Sequence, residues 1–332
     1  MPARLACSRR TFLAGAAATG AAVRAPGWSL PFFTKSAADF DDRLTLLVSD
    51  LHINGRADKP QHHQGPRFAK LVAEVLRMDP LPRRCLVLGD IAWDRGDPQD
   101  YAASAVPLKQ LADAGIELAL ALGNHDHRKT FAAAWPELAA QTKVPGSVVS
   151  VVQTPDCDFL LMDSMSEVGE DERDYNHVYG ELPPAEQEWL AAELPKWPRP
   201  VFVCAHHPLT ETFQGRFTQL EVCGRPLKNL LADVPCLAGY IQGHDHRWQR
   251  SFEVADWKRR KLFQNLTLPS TGHWGDIGYV LLRSAPGRAV AELRQDDFYF
   301  PREMPPDQRG ADWSAMVAAN QGAKCHFVWK KT

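Results

Sequence analysis

The chain has 332 residues, 45% of them hydrophobic, and a formal charge of −2. That is long enough for one sizeable domain or two small ones with a real buried core, and the charge balance excludes the strongly basic footprint of a nucleic-acid binder. Without the first 25 residues, which hold four arginines and no acid, the count is 34 basic against 40 acidic, a charge of −6.

The N-terminal stretch SRRTFLAGAAATGAAVRA sets Arg9 and Arg10 before a weakly apolar, Ala/Gly-rich run from Phe12 to Val23, then Val23-Arg24-Ala25 as a small-residue cleavage pattern. It resembles a twin-arginine export signal over residues 1–25, which implies a periplasmic or secreted protein whose partner in transit is the twin-arginine machinery. The run is shorter than the ~20 apolar residues a spanning helix needs, and no later stretch qualifies, so no membrane span is expected in the mature chain. Residues 26–43 lack periodicity and read as a linker. Cys7 would leave with the signal. The six remaining cysteines permit disulfides in an oxidising compartment, but Cys85, Cys157, Cys204 and Cys236 lie in or beside apolar runs, as small buried hydrophobes do. There is no C-x-x-C, which argues against a cysteine zinc site.

From residue 44 strands and helices alternate. RLTLLVSDLH reads as a strand. GPRFAKLVAEVLRM follows with Phe68, Leu71, Val72, Val75 and Leu76 at helical spacing and Pro66 in its first turn. CLVLGD is a second strand. DPQDYAASAVPLKQLADAG is a helix from Pro98 to Gly115, with Pro107 expected to kink it, and IELALALGNHD is a third strand. This alternation predicts a layered α/β domain with helices packed on sheets. The second half offers the strands VVSVV, FLLMDS, PVFVCAHHP, CLAGYIQGHDH, KLFQNLTL, GYVLLR and AVAEL, with short helices in PPAEQEWLAAELP and PLKNLLAD. From about Phe298 the chain is Pro-rich and aperiodic and reads as a surface-wrapping tail.

The apolar runs share one feature. They end in Asp50 and His52, Asp90, Asn124 and His125, His206, and His244 and His246. Ligands of α/β sheets bind beyond the carboxyl ends of strands, so these groups are placed to converge.

The pattern D-x-H, G-D, G-N-H-D, H, G-x-H-x-H stands here as Asp50-Leu51-His52, Gly89-Asp90, Gly123-Asn124-His125-Asp126, His206 and Gly243-His244-Asp245-His246. It resembles the calcineurin-like metallophosphoesterase superfamily over about residues 44–296. The resemblance implies a two-sheet β-sandwich core flanked by helices, a four-layer α/β/β/α fold, with residues 297–332 as the tail. It implies that Asp50, His52 and His246 hold one metal, Asn124, His206 and His244 the other, and that Asp90 bridges them. His125 would contact phosphate, and His207 would either support the metal ligands from behind or serve the fold alone. The cofactors implied are two divalent transition-metal ions, Mn, Fe or Zn, which suit mixed imidazole and carboxylate ligation. Purple acid phosphatases carry a tyrosine three residues after the bridging aspartate; Trp93 stands there, so that subclass and its ferric iron are not implied.

The residue types also make physical sense. Two divalent ions ~4 Å apart repel by roughly 17 kcal/mol at an effective dielectric of about 20, so a shared carboxylate such as Asp90 is required. Asn124 ligates without adding negative charge. The reaction expected is hydrolysis of a small phosphate ester, with a metal-bridging hydroxide as nucleophile and His125 at the leaving oxygen. Phosphomonoesterase and small-molecule phosphodiesterase both fit. A nuclease or cyclic-nucleotide phosphodiesterase is the alternative, though no basic stripe tracks a strand, and a non-catalytic metal-binding scaffold is a third reading. The connectors above the site carry His62, His63, Arg128, Tyr175, His177 and Arg216, with His273 and Trp274 nearby as cleft-lining candidates.

Overall fold

The computed structural model describes residues 39–56, 64–166, 178–256, 261–299 and 313–329. The expected export signal, most of the linker, and His62, His63, Tyr175 and His177 lie outside them.

Two six-stranded sheets form the centre. The first runs in the order β16 (Lys324–Val328), β15 (Arg288–Tyr299), β14 (Gly275–Ala285), β1 (Phe40–Val48), β2 (Leu81–Leu88), β3 (Glu117–Ala121). The second runs β12 (Gln249–Asp256), β13 (Lys261–Thr267), β11 (Leu237–Gln242), β6 (Val201–Ala205), β5 (Asp158–Leu161), β4 (Ser150–Gln153). In the first sheet β1, β2 and β3 are parallel, and in the second β5, β6, β11 and β13 are. Antiparallel strands complete the edges. Two small ribbons, β7 (Thr210–Phe213) with β8 (Arg216–Gln219) and β9 (Glu221–Val222) with β10 (Arg225–Pro226), follow β6.

Side-chain alternation along the strands builds three apolar layers between four layers of structure. Leu46, Val48, Cys85 and Val87 face α1 (Gln64–Val75) and α2 (Pro98–Asp113), where Phe68, Val72, Tyr101 and Leu108 are buried with them. Their neighbours Leu47, Leu86 and Leu88 turn the other way, onto Phe159, Phe202, Cys204 and Ile241 of the second sheet. The far side of that sheet, with Leu160, Val203 and Tyr240, is covered by Leu190 of α5 (Pro184–Glu193) and Leu227 of α6 (Leu227–Leu231). The result is the α/β/β/α sandwich expected. Two short helices, α3 (Arg128–Ala134) and α4 (Pro136–Ala139), follow β3.

The helix expected around Pro107 spans Pro98–Asp113. Two expectations need correction. Phe40–Arg43, placed in the linker, already belong to β1, where Phe40 pairs with Leu81. Where an aperiodic tail was expected after 296, β15 continues to Tyr299, α7 (Trp313–Asn320) follows, and β16 adds itself to the sheet edge. Cys325, Phe327 and Trp329 are buried there and join the layer between the sheets, with Phe327 edge-on to Phe202 at 4.9 Å. The strict alternation of KCHFV, exposed-buried-exposed-buried-exposed, is the strand signal.

Candidate metal centre

Parallel pairing sets the carboxyl ends of β1, β2, β3, β6 and β11 at one end of the sandwich, and the next few residues of each strand carry the expected donors. Backbone bonds lock these loops together: Asp50 N–H to Gly89 O at 3.1 Å, His52 N–H to Asp90 O at 2.8 Å, and Gly243 N–H to His206 O at 3.0 Å. The crossing of the two sheets is tight. A Cβ on Gly89, whose φ is +84°, would lie 2.6 Å from His206 Nδ1, and one on Gly123 would lie 2.2 Å from Asp90 Oδ1. Seven non-glycine residues among those described have left-handed φ, and five of them are Asp50, His52, Asp90, His244 and His246. Strain of this kind collects where side chains must be aimed at a common point.

All seven donor residues come together. His246 Nε2 lies 3.1 Å from Asp50 Oδ1 and 3.3 Å from His52 Nε2. On the other side, Asn124 Oδ1 lies 3.2 Å from His206 Nε2 and 3.1 Å from His244 Nδ1, and those two nitrogens are 3.3 Å apart. Asp90 sits between the groups, its Oδ2 at 3.4 Å from His52 Nε2 and 3.3 Å from His206 Nε2. Asp50, His52, Asp90, His206 and His246 are all buried.

The outward-facing nitrogens decide what this basin wants. His52 Nδ1 faces Trp93 O at 3.3 Å, His206 Nδ1 faces Leu88 O at 2.9 Å, and His246 Nδ1 faces Trp274 O at 3.1 Å. A carbonyl only accepts, so each Nδ1 carries a proton, and Nε2 is the nitrogen each ring turns inward, free to ligate once it is deprotonated. His244 is turned round: its Nε2 faces Glu211 Oε1 at 3.1 Å, leaving Nδ1 for the basin. The result is a cluster of inward-facing ring nitrogens and oxygens whose negative charge calls for a cation at its centre, a role that a protonated His206 fills in the metal-free protein. Neutral imidazoles, two carboxylates and an amide oxygen are the donor chemistry of a divalent transition metal, and the residues fit it. In the metal-free protein, burial alone would lower the His206 pKa, yet Asp90 and Asp50 push it to about 10. Burial opposes the charge of Asp90 too, but His206 and His125 hold its carboxyl well below the usual range. His52, buried and beside His273, is held well below its ordinary value.

Glu211 escapes a reading of the sequence, which treats residues 210–225 as a connector. The signal is there: TETFQGRFTQ alternates around Gln214-Gly215, both with positive φ (49° and 80°), which is the turn that closes the β7–β8 hairpin.

The remaining candidates separate. His125 is half-buried at the floor of a cavity of about 520 Å³ that His52, Asp90, Asn124, His244 and His246 also line. Its backbone N–H donates to Asp90 Oδ1 at 2.9 Å, and its ring lies 4.8 Å from that of His52. His273 and Trp274 line the same cavity, with the His273 ring 4.2 Å from that of His52. Trp93 stands edge-on to His52 at 6.1 Å. His207 is buried behind the site with Nδ1 2.9 Å from Ser164 Oγ. Arg216 lies over the Tyr179 ring, 4.8 Å away, beside a neighbouring cavity. Arg128 turns away from the basin and grips Asp163 with two nitrogens, at 2.7 and 3.0 Å.

Asp126, buried behind Asp90, accepts from the backbone N–H groups of Ile91, Ala92 and Gly123 and from the Tyr101 hydroxyl. It ties the loops after β2 and β3 together, and burial and Asp90 push its pKa up to about 6.

A family model described as calcineurin-like phosphoesterase matches residues 44–248. The chain belongs to that family, and the Asp50, His52, Asp90 and His246 cluster gives it a candidate metal site of the kind a metal-dependent phosphoesterase uses. No curated protein matches the chain. Among solved structures, Vps29 of Chaetomium thermophilum is similar at 15% identity and TM-score 0.38, covering 86% of this chain and 97% of its own. A predicted phosphoesterase from Streptococcus pneumoniae TIGR4 is similar at 10% identity and TM-score 0.32, covering 78% and 94%. Wild-type Vps29 of Entamoeba histolytica complexed with zinc is similar at 11% identity and TM-score 0.33, covering 76% and 92%.

Proposed function

We propose that the protein hydrolyses small phosphate esters at a two-metal centre. Asp50, His52 and His246 would hold one divalent ion and Asn124, His206 and His244 the other, with Asp90 shared. The observation that carries this reading is the position of one atom: Asp90 Oδ2 lies 3.4 Å from His52 Nε2 and 3.3 Å from His206 Nε2, between the two half-sites. Divalent ions held there would supply Lewis acidity to phosphoryl oxygens and lower the pKa of water.

The chain's own residues then do the rest. Asp90 keeps its second oxygen on the His125 backbone N–H, which ties the shared carboxylate to the backbone of a cavity-lining residue. His125, half exposed at the cavity floor, donates to the oxygen of the departing alcohol. Trp274 and Phe213 narrow the opening. The arginine pair at Arg9 and Arg10 supports export to the periplasm or beyond as part of the same proposal.

The test is reconstitution of metal-free protein with Mn, Fe, Zn and Co, followed by rates on aryl phosphate monoester and diester substrates; no hydrolysis with any metal would refute the reading. Replacing His125 with Ala should reduce kcat by about 10²- to 10⁴-fold while metal content stays near wild type; loss of both together would make His125 a structural residue.

A further inference from the structure

Building on the phosphoesterase reading above, we infer that Glu211, acting through His244, lowers the charge of the centre so that it favours monoanionic phosphodiesters over dianionic phosphomonoesters. Glu211 Oε1 is 3.1 Å from His244 Nε2, with the side chain only 13% exposed, so the carboxylate is held on the ring and shielded from water. A hydrogen-bonded imidazole transmits this charge to whatever its other nitrogen binds. Two divalent ions bring four positive charges. Asp50 and Asp90 take two of them and the hydroxide nucleophile a third, so the Glu211 carboxylate offsets the last.

A phosphomonoester carries close to two negative charges at neutral pH, because its second pKa is about 6; a diester carries one. The described lining offers little fixed positive charge to compensate the second charge. Among its described lining residues Arg247 is the only Arg or Lys, it is exposed, and Asp245 beside it is acidic. Arg128 is committed to Asp163, and Arg216 lies over Tyr179. The rest of the wall includes Val178, Pro208, Phe213 and Trp274, apolar groups suited to the second organic arm of a diester.

Glu211→Gln separates charge from position, since its amide oxygen can still accept from His244 Nε2. Wild type, Glu211→Gln, Glu211→Asp and Glu211→Ala are titrated metal-free with Mn²⁺ by calorimetry, then loaded and assayed on nitrophenyl phosphate and methyl nitrophenyl phosphate, which share a leaving group. Glu211→Gln should keep the Mn²⁺ stoichiometry and shift the kcat/KM ratio toward the monoester by about tenfold, whereas Glu211→Asp retains the wild-type ratio. Glu211→Ala should weaken one of the Mn²⁺ equivalents by about 10- to 100-fold. An unchanged ratio in Glu211→Gln, or a Glu211→Ala isotherm that overlays wild type, overturns the role of Glu211. If the loaded wild type cleaves neither ester, the phosphoesterase reading fails separately. Glu211 is then judged by binding of inorganic phosphate against dimethyl phosphate, where Glu211→Gln should tighten phosphate selectively and equal binding overturns the inference.

Discussion

The metal basin and the Arg128–Asp163–Glu186 cluster both bury carboxylates, yet they dispose of the charge differently. Asp163 is fully buried and fully served: Arg128 meets it at 2.7 and 3.0 Å, and the backbone N–H groups of Val148 and Met165 donate to it at 2.8 and 3.2 Å. Glu186 accepts from the Asp163 backbone N–H at 3.1 Å, and burial and the neighbouring Asp163 raise its pKa well above the usual range, favouring the protonated acid. That cluster contains its own cation, Arg128. In the basin, Asp50 and Asp90 face ring nitrogens of His52, His206 and His246, so their counter-charge is a proton taken up by His206 or a cation from solution. Burial of acid therefore does not by itself mark a functional site; whether the counter-charge is a fixed cation or an exchangeable one separates the two cases.

Substitutions that swap the behaviour of the two clusters test this contrast. The largest effect is expected from Asp90→Asn, which keeps shape and removes the shared charge: metal content by elemental analysis should fall by at least one equivalent, and kcat/KM by on the order of a thousandfold or more. Retention of both ions would show that the two half-sites do not depend on a common carboxylate. Arg128→Met should do the reverse. It leaves Asp163 buried without its cation, so stability measured by denaturant should drop by about 3–5 kcal/mol, with metal content per folded molecule unchanged. The smallest expected effect is that of Glu186→Gln. A carboxyl whose folded pKa lies above its unfolded value contributes stability that is complete below pH 4.5 and is lost as pH rises through the folded pKa. The Gln variant lacks that slope, so its melting temperature should fall less than wild type between mildly acidic and neutral pH; parallel profiles would mean Glu186 is already ionised in the folded protein.

The donor set was legible because each member follows an apolar run. LLV before Ser49-Asp50, CLVL before Gly89-Asp90 and YIQ before Gly243-His244 are strands whose ends the sheet topology brings together, so the local pattern carries the tertiary answer. Glu211 was not legible in the same way. Its hairpin has mixed burial and no apolar run, and only the Gln-Gly turn announces it. Arg128 shows the opposite failure: its type and place beside Gly123-Asn124-His125-Asp126 suggest a phosphate contact, but its partner Asp163 comes from a residue far along the chain that sequence spacing does not reveal. β16 was hidden by the Pro-rich stretch before it, although its alternation is as clean as that of any central strand.

Five donors held at left-handed φ have a consequence for anyone who evolves this protein in the laboratory. Each such turn stores about 1 kcal/mol of backbone energy that glycine would release. Selection for heat resistance in a chelator would therefore be free to relieve that strain wherever the side chain does not also hold the fold, as Asp90 does on the His125 N–H, and would discard the chemistry in doing so. The same selection run with the ion present would hold those positions fixed, because there the bound cation repays the strain.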